Sequence, residues 1–389
     1  MERPDRIHDL AVVGAGAFGS ATAHYGAALG LDVVAFDRHR PPHEFGSSHA
    51  ETRVTRLAVG EGDHYVPFAR RSHDLWRELE TAVDDTILHD TGGLIIAPAA
   101  DAVDERWGDF VSATGAVAER AGLPFERLEL ATARARFPAY RFGDDETVGF
   151  EPSGGLVMAE LAVASHLERA TRHGATLHLA TTVTAVEPNG DGVTIRTDAG
   201  THRARHVVVC AGPWTAALSD ADRLRVTRQE VYWFEADLDL WRSDDAAFAI
   251  WARPDISDYL GVFAVTPNAP LQAVKLVPEQ FAVSTTPGEV DRTISDDDVA
   301  RFHATMVAPR LVGVSDRCVH RSVCLYTNTT DDHFLVDRLD GADHATVVSA
   351  CSGHGFKHSA AIGEALARRA AGLDHLDLEP FRRDRRARW

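Results

Sequence analysis

The stretch Leu10-Ala11-Val12-Val13-Gly14-Ala15-Gly16-Ala17-Phe18-Gly19 decides the fold, and it continues through a helix-forming run to Val33-Val34-Ala35-Phe36-Asp37. Leu10 to Val13 is apolar without alternation, as a parallel strand buried on both faces requires. Gly14 permits a tight turn, Gly16 lets the backbone approach a pyrophosphate, and Gly19 lets the next helix lie close to the sheet. The helix runs from about Ala17 to Leu29 and stops at Gly30. A second buried strand, Val33 to Phe36, delivers Asp37 to its carboxyl end, where a carboxylate can accept hydrogen bonds from both ribose hydroxyls of an adenosine. The order strand, glycine turn, helix, strand, acid points to a dinucleotide, and the turn alone leaves FAD and NAD both open.

The chain has 389 residues, which suggests about two domains, and a net charge of -18, which disfavours nucleic acid and anionic membranes as partners. No run of about 18 uninterrupted apolar residues occurs, so no membrane-spanning helix is expected. The basic run Arg382 to Arg388 is a solvated end. Cys210, Cys318, Cys324 and Cys351 are scattered without a CxxC pair, which argues against a zinc ribbon or disulfide framework and for a reducing, cytoplasmic compartment. Despite 20 His there is no HExxH and no Walker phosphate loop, so no metal is expected.

Beyond Asp37, Arg40 to Ser48 reads as loop. It leads to Ser48-His49-Ala50-Glu51-Thr52-Arg53-Val54-Thr55-Arg56, dense in His and Arg. On a helix, the spacing of Arg53 and Arg56 would put both guanidinium groups on one face. Periodicity predicts helices from Pro67 through Leu79, Asp101 to Ala121, Ala131 to Phe137 and Ala159 to His173. Strands are predicted at Gly92 to Ala97, Thr181 to Val186, Val193 to Thr197, His206 to Cys210, Gln229 to Phe234, Tyr259 to Val265 and Ala345 to Ala350. Cys351-Ser352-Gly353-His354-Gly355-Phe356-Lys357 then opens a helix through Ala371, a glycine-rich N-terminus suited to an anion.

Taken together, these residues resemble the monomeric sarcosine oxidase and N-methyltryptophan oxidase branch of the FAD-dependent amine oxidoreductases. The resemblance spans nearly the full length. It is carried by Gly14 to Gly19, Gly46 to Arg53, Leu128-Glu129 with Arg136-Phe137-Pro138, Ala211-Gly212-Pro213-Trp214, Cys324-Leu325-Tyr326-Thr327 and Gly353 to Lys357. It implies an α/β fold: a Rossmann-type, D-amino acid oxidase-like FAD-binding domain (1–85, 150–215 and 322–389) and an α+β substrate domain on a mixed antiparallel sheet (86–149 and 216–321).

The resemblance also implies roles. FAD would be held by Gly14, Gly16, Phe18, Gly19, Asp37, Arg38, Ser47, Val183, Ala211, Gly212, Trp214, Gly353, Gly355, Phe356 and Lys357, with Cys324 bonded to the flavin 8α-methyl carbon. Arg56 and Lys357 match the pair that grips a substrate carboxylate, chemically suited to a guanidinium fork and an ammonium. His49 and Arg53 match cationic residues that stabilise reduced flavin, Tyr326 lines the substrate side, and Lys275 matches the lysine associated with oxygen.

Two positions depart from the pattern. Glu279 stands where sarcosine oxidases carry a histidine, and Leu260 where they carry a tyrosine before a glycine, which makes sarcosine a doubtful substrate. The expectation is a monomeric oxidase that converts a secondary amino acid, N-methyl or cyclic, to an imine and reduces oxygen to hydrogen peroxide. Its alternatives are an oxidase of a pipecolate-like or cyclic imine acid and a dehydrogenase that passes electrons to a protein.

Overall fold

In the computed structural model, which describes residues 6–98, 110–190, 192–219, 221, 223–244, 246–252, 259–339 and 342–384, the strand Ile7–Val13 is the axis of an eight-stranded sheet. It pairs in parallel with Val33–Asp37 on one side and with Gly200–Val209 on the other. Thr176–Leu179 extends the first side and Ala342–Ser349 the second, both in parallel. Leu10, Ala11 and Val12 are fully buried, as their lack of alternation requires.

Helices cover this sheet at close range. Ala17–Ala28 packs on Ser359–Ala370 through small residues: a Cβ on Gly363 would lie 2.5 Å from the Ala21 Cβ. Val66–Val83 is tied to Ser359–Ala370 by the Ala361 amide, which donates to Ser72 Oγ at 3.1 Å.

A nine-stranded sheet, largely antiparallel, stands beside the first. Its centre is Arg225–Ala236, Val274–Glu279, Tyr259–Phe263 and Phe248–Ala252. Phe248–Ala252 joins Gly93–Pro98 in parallel, and Gly93–Pro98 joins Glu146–Glu151 antiparallel. The long strand Val314–Asn328 lies along Arg225–Ala236 and brings Cys324 opposite Gln229. One face of this sheet packs Trp251, Leu260, Val262 and Leu276 into the larger apolar core, against Trp241 of the short helix Leu238–Trp241. A three-stranded sheet of Thr52–Thr55, Gly155–Met158 and Leu88–Asp90 completes the strand structure.

The predicted elements are present with shifts of a few residues, except at the His and Arg rich segment. Residues 52–55 form a strand rather than a helix, paired Arg53↔Val157 and Thr55↔Gly155. Thr52, Val54 and Thr55 are β-branched and suit a pleated surface, while Ala50 (φ 72°) and Glu51 (φ 60°) turn the chain left-handed before it. The helix expected over Asp101 to Ala121 is seen as Phe110–Ala121; its first part, like the end of the basic tail, lies outside the described residues.

Gly19 is required by space. Its Cβ would lie 1.8 Å from the Gly14 carbonyl oxygen and 2.9 Å from Cys210 Sγ, so the first helix could no longer sit on the turn. Gly19→Ala is expected to lower thermal stability by several degrees and to strip FAD during purification, read by melting and by the absorbance ratio of flavin to protein. Gly288→Ala, where a Cβ meets nothing within 4 Å, is the neutral control.

Candidate active site

Two cavities are present among the described residues, and segment 41–48 lines the first of them. The first, about 170 Å³, opens at the carboxyl ends of the parallel strands. Gly14, Gly16, Phe18, Asp37, Arg38, Ser47, Val183, Ala211, Gly212 and Trp214 all line it. The helix Ala17–Ala28 starts at Gly16 without a side-chain cap on its own N-cap residue; Ser48 Oγ accepts from the Ala17 amide at 3.1 Å. Uncapped N–H groups at such a terminus attract an anion. Asp37 is fixed at the floor by the Ala15 and His39 amides, each donating at 2.8 Å. Its two oxygens retain lone pairs for further donors.

Segment 41–48 is clamped by two arginines. Arg292 donates to the Glu44 and Val323 carbonyls at 3.0 Å and to the Phe45 carbonyl at 2.8 Å. Arg53 donates to the Ser47 carbonyl at 2.9 Å, and Ser47 Oγ donates to the Leu325 carbonyl at 2.5 Å. Cys324 sits under this clamp, 2% exposed, with its Sγ 3.6 Å from Arg53 Nη2.

The second cavity, about 380 Å³, is built on a strand pair. Tyr259, Gly261 and Phe263 face it from one strand, and Val277 and Glu279 from the next, in the register Tyr259↔Glu279 and Gly261↔Val277. Alternation sends Leu260 the other way, into the core. Arg53, Arg56, Lys357, Tyr326, Cys324 and Glu61 also line it, with Asp331, Asp332, His333 and His354.

Two cations are held here with little water. Arg56 is 1% exposed; it donates to the Ala58 carbonyl at 2.9 Å and to Glu61 Oε2 at 2.7 Å. Glu151 accepts from the Leu57 and Ala58 amides at 2.6 and 3.0 Å and so fixes the loop that carries both residues. Lys357 donates to the His354 carbonyl at 2.7 Å, and its Nζ lies 3.9 Å from Glu61 Oε1. Burial lowers Lys357 to about 8. Burial alone would raise Glu61, but Arg56 first, then Lys357 and His354, hold it well below the usual carboxylate range. The two cations are thus bridged by an internal carboxylate. Glu279 differs: burial raises it to about 7, and its Oε1 accepts from Tyr326 OH at 2.9 Å.

A protein-family model described as FAD dependent oxidoreductase matches residues 9–369. The chain belongs to the FAD-dependent oxidoreductase family. Within this family, N-methyl-L-tryptophan oxidase of Citrobacter koseri is 31% identical over 97% of this chain and 99% of its own. Monomeric sarcosine oxidase of Streptomyces avermitilis is 32% identical over 92% of each chain. Among solved structures, NikD, an unusual amino acid oxidase essential for nikkomycin biosynthesis, superposes with a TM-score of 0.84 at 24% identity over 97% of both chains. Glycine oxidase from Geobacillus kaustophilus gives 0.75 at 19% identity over 96% of this chain and 98% of its own. The last two speak to the fold.

The cradle fits the cofactor of the FAD-dependent oxidoreductases. A Cβ on Gly14 would strike the Cys210 carbonyl at 2.5 Å, one on Gly212 would meet nothing, and the cavity runs from Asp37 past the helix N-terminus to Cys351. Phe18, Ser47, Val183, Ala211 and Trp214 line the same path. Gly19 and Gly355 act behind the walls, by admitting backbone: a Cβ on Gly355 would lie 1.7 Å from the Ala350 carbonyl oxygen. Gly353, Phe356 and Lys357 line the second cavity instead of the first.

Two sequence expectations need correction. Leu260 is not a pocket residue; Tyr259 and Gly261 are, because the strand register puts them on the open face. His49 is not cationic: burial, then Arg53, lowers it to about 3. Lys275, expected on the oxygen side and not among the substrate contacts, lies outside the second cavity. It is 2% exposed, its Nζ donates to the Ala50 and Thr52 carbonyls and lies 3.8 Å from the Phe263 ring centroid, and burial, then Arg53, holds it well below its usual value. Glu61, Tyr259 and Glu151 were missed. A Glu five residues after Arg56 carries no motif, and only the folded loop turns it back.

If Glu61 occupies the seat of an external anion, its removal frees that seat. At pH 6.5, where Lys357 is charged, Glu61→Gln is expected to tighten 3,3-dimethylbutanoate binding about ten-fold, the value of one charge-assisted hydrogen bond. Titration of the holoenzyme by flavin absorbance reads this, and unchanged affinity would show that Glu61 does not compete.

Proposed function

We propose that this protein is a flavoprotein oxidase of a secondary amino acid, N-methyl or cyclic, with an apolar or aromatic portion. The observation that carries the reading is the buried cation pair Arg56 and Lys357, on the wall of an aromatic-lined cavity that also holds Cys324. Bound FAD would take two electrons with a hydrogen from the C–H beside the substrate nitrogen and pass them to oxygen as hydrogen peroxide.

The chain's own residues do the rest. Arg56 and Lys357 bind the carboxylate in place of Glu61, and they fix which carbon is presented. Arg53, charged and adjacent to Cys324, stabilises negative charge that develops at the flavin edge. Phe110, Tyr259, Phe263 and Phe281 exclude water and surround the remainder of the substrate. Cys324 is the residue that would bond the flavin, and Lys275, drawn against the backbone of residues 50–52, supports the oxygen step from below the cavity. The discontinuous two-domain division expected from sequence is part of the same proposal, as is function without a partner chain.

The test is anaerobic exposure of the holoenzyme to a panel of N-methyl and cyclic amino acids. Bleaching of the flavin by at least one, followed by peroxide release on admission of air, is expected; formaldehyde distinguishes N-methyl from ring oxidation. A flavin that no secondary amino acid bleaches would refute the reading, and bleaching with slow reoxidation by air would favour a dehydrogenase.

Covalent attachment is tested separately. Acid precipitation is expected to give a yellow pellet from the native protein and a yellow supernatant from Cys324→Ser, which keeps the first cavity intact.

A further inference from the structure

The second cavity contains two glutamates with different tasks. Glu61 is an ion-pair partner, 2.7 Å from Arg56. Glu279 lines the same cavity, yet among the described residues no cation reaches it within ion-pair distance; its contact is the Tyr326 phenol at 2.9 Å. It projects from Val274–Glu279 beside Tyr259, on the face that also carries Val277 and Gly261. A carboxylate in this setting is suited to a ligand cation.

Resting on the proposed oxidase activity, we infer that Glu279 receives the substrate's nitrogen: its carboxylate binds the ammonium of a zwitterionic amino acid and removes one N–H proton before oxidation. The chemistry requires such a group. An amino acid whose carboxylate sits on Arg56 and Lys357 arrives with a protonated amine, and a protonated nitrogen has no lone pair to assist loss of hydride from its neighbouring carbon. In the transfer an N–H bond breaks and a Glu279 O–H bond forms; the electron pair of the N–H bond stays on nitrogen, and no redox change occurs. The product is neutral amine beside neutral acid, so no unpaired charge is left in the cavity.

The groups that face Glu279 bear on its titration. Tyr326 donates to it, Arg53 and Lys357 favour its anion, and Glu61 opposes it. Tyr259 stands across the strand pair. His354, held near 3 by burial, stays neutral in this window, and Arg56 is engaged by Glu61. The loop of Asp331, Asp332 and His333 lines the same cavity. Between the two strands, Glu279 is therefore poised to change charge near neutral pH, where a general base works best.

Two inert probes isolate this role. Trimethylglycine and 3,3-dimethylbutanoate share shape and carboxylate, but only the first carries a permanent positive charge at the amine position. Any pH effect on the Arg56 and Lys357 seat is common to both and cancels in their affinity ratio. Flavin absorbance titrations of the holoenzyme from pH 6 to 8 are expected to show this ratio rising about ten-fold in favour of trimethylglycine as Glu279 ionises.

The ratio should be flat in Glu279→Gln. In Tyr326→Phe its midpoint should move upward, because a donor that favours the carboxylate is gone. A flat ratio in the native protein with both probes bound would overturn the inference alone. Failure of both probes to bind would overturn the oxidase reading and the inference with it.

Discussion

Burying positive charge is the constraint on which the rest of this structure depends. Arg56, Lys275 and Lys357 are each at most 3% exposed. An isolated cation loses several kcal/mol on leaving water, so each must find acceptors. Arg56 has the Ala58 carbonyl and Glu61, Lys357 has the His354 carbonyl and a more distant Glu61, and Lys275 has the carbonyls of Ala50 and Thr52. These acceptors come from loops, and the loops must be held. Glu151 holds the one after Arg56 through two amides; Glu51 holds another by accepting from Trp233 Nε1 and the Leu271 amide. The polar network thereby dictates loop geometry across the gap between the two large sheets.

Substrate chemistry follows from how incompletely that network is satisfied. Lys357 retains donors beyond its single close carbonyl, and burial leaves it titrating near 8, so an added anion would be welcome there. Arg56 NE has no partner among the described residues. Glu61 bridges the pair without a hydrogen bond to Lys357, which it meets only as an ion pair at 3.9 Å. An external carboxylate that reaches both cations improves on this arrangement, which makes binding an exchange of anions with little change in net buried charge.

The first half of the fold was legible because its determinants are local. Four unalternated apolar residues, three glycines at fixed spacing and an acid at the end of the next strand each have one structural use, and they are adjacent in the chain. The second sheet was harder. Its strands are far apart in sequence, and which face of Tyr259–Phe263 meets the cavity depends on register with Val274–Glu279. A shift of one residue exchanged Leu260 for Tyr259, the usual consequence of a period of two. Thr52–Thr55 misled for a related reason: the spacing of its arginines suits a helix face, but β-branched neighbours and pairing with Gly155–Met158 prevail. Glu61 could not be found from sequence, because an acid in a polar loop signals nothing until the loop closes on Arg56. His49 looked cationic for want of any measure of burial.

On the proposed reading, Arg56 and Lys357 form an anion seat in which Lys357 is only partly protonated at mildly alkaline pH. Calorimetric titration of the holoenzyme with 3,3-dimethylbutanoate at pH 8, in two buffers of different ionisation enthalpy, counts the protons that accompany binding. Uptake approaching about half a proton per site is expected, lost in Lys357→Met, since an anion beside a half-ionised lysine draws it to the charged form. Binding with no proton uptake in the native protein would contradict the account.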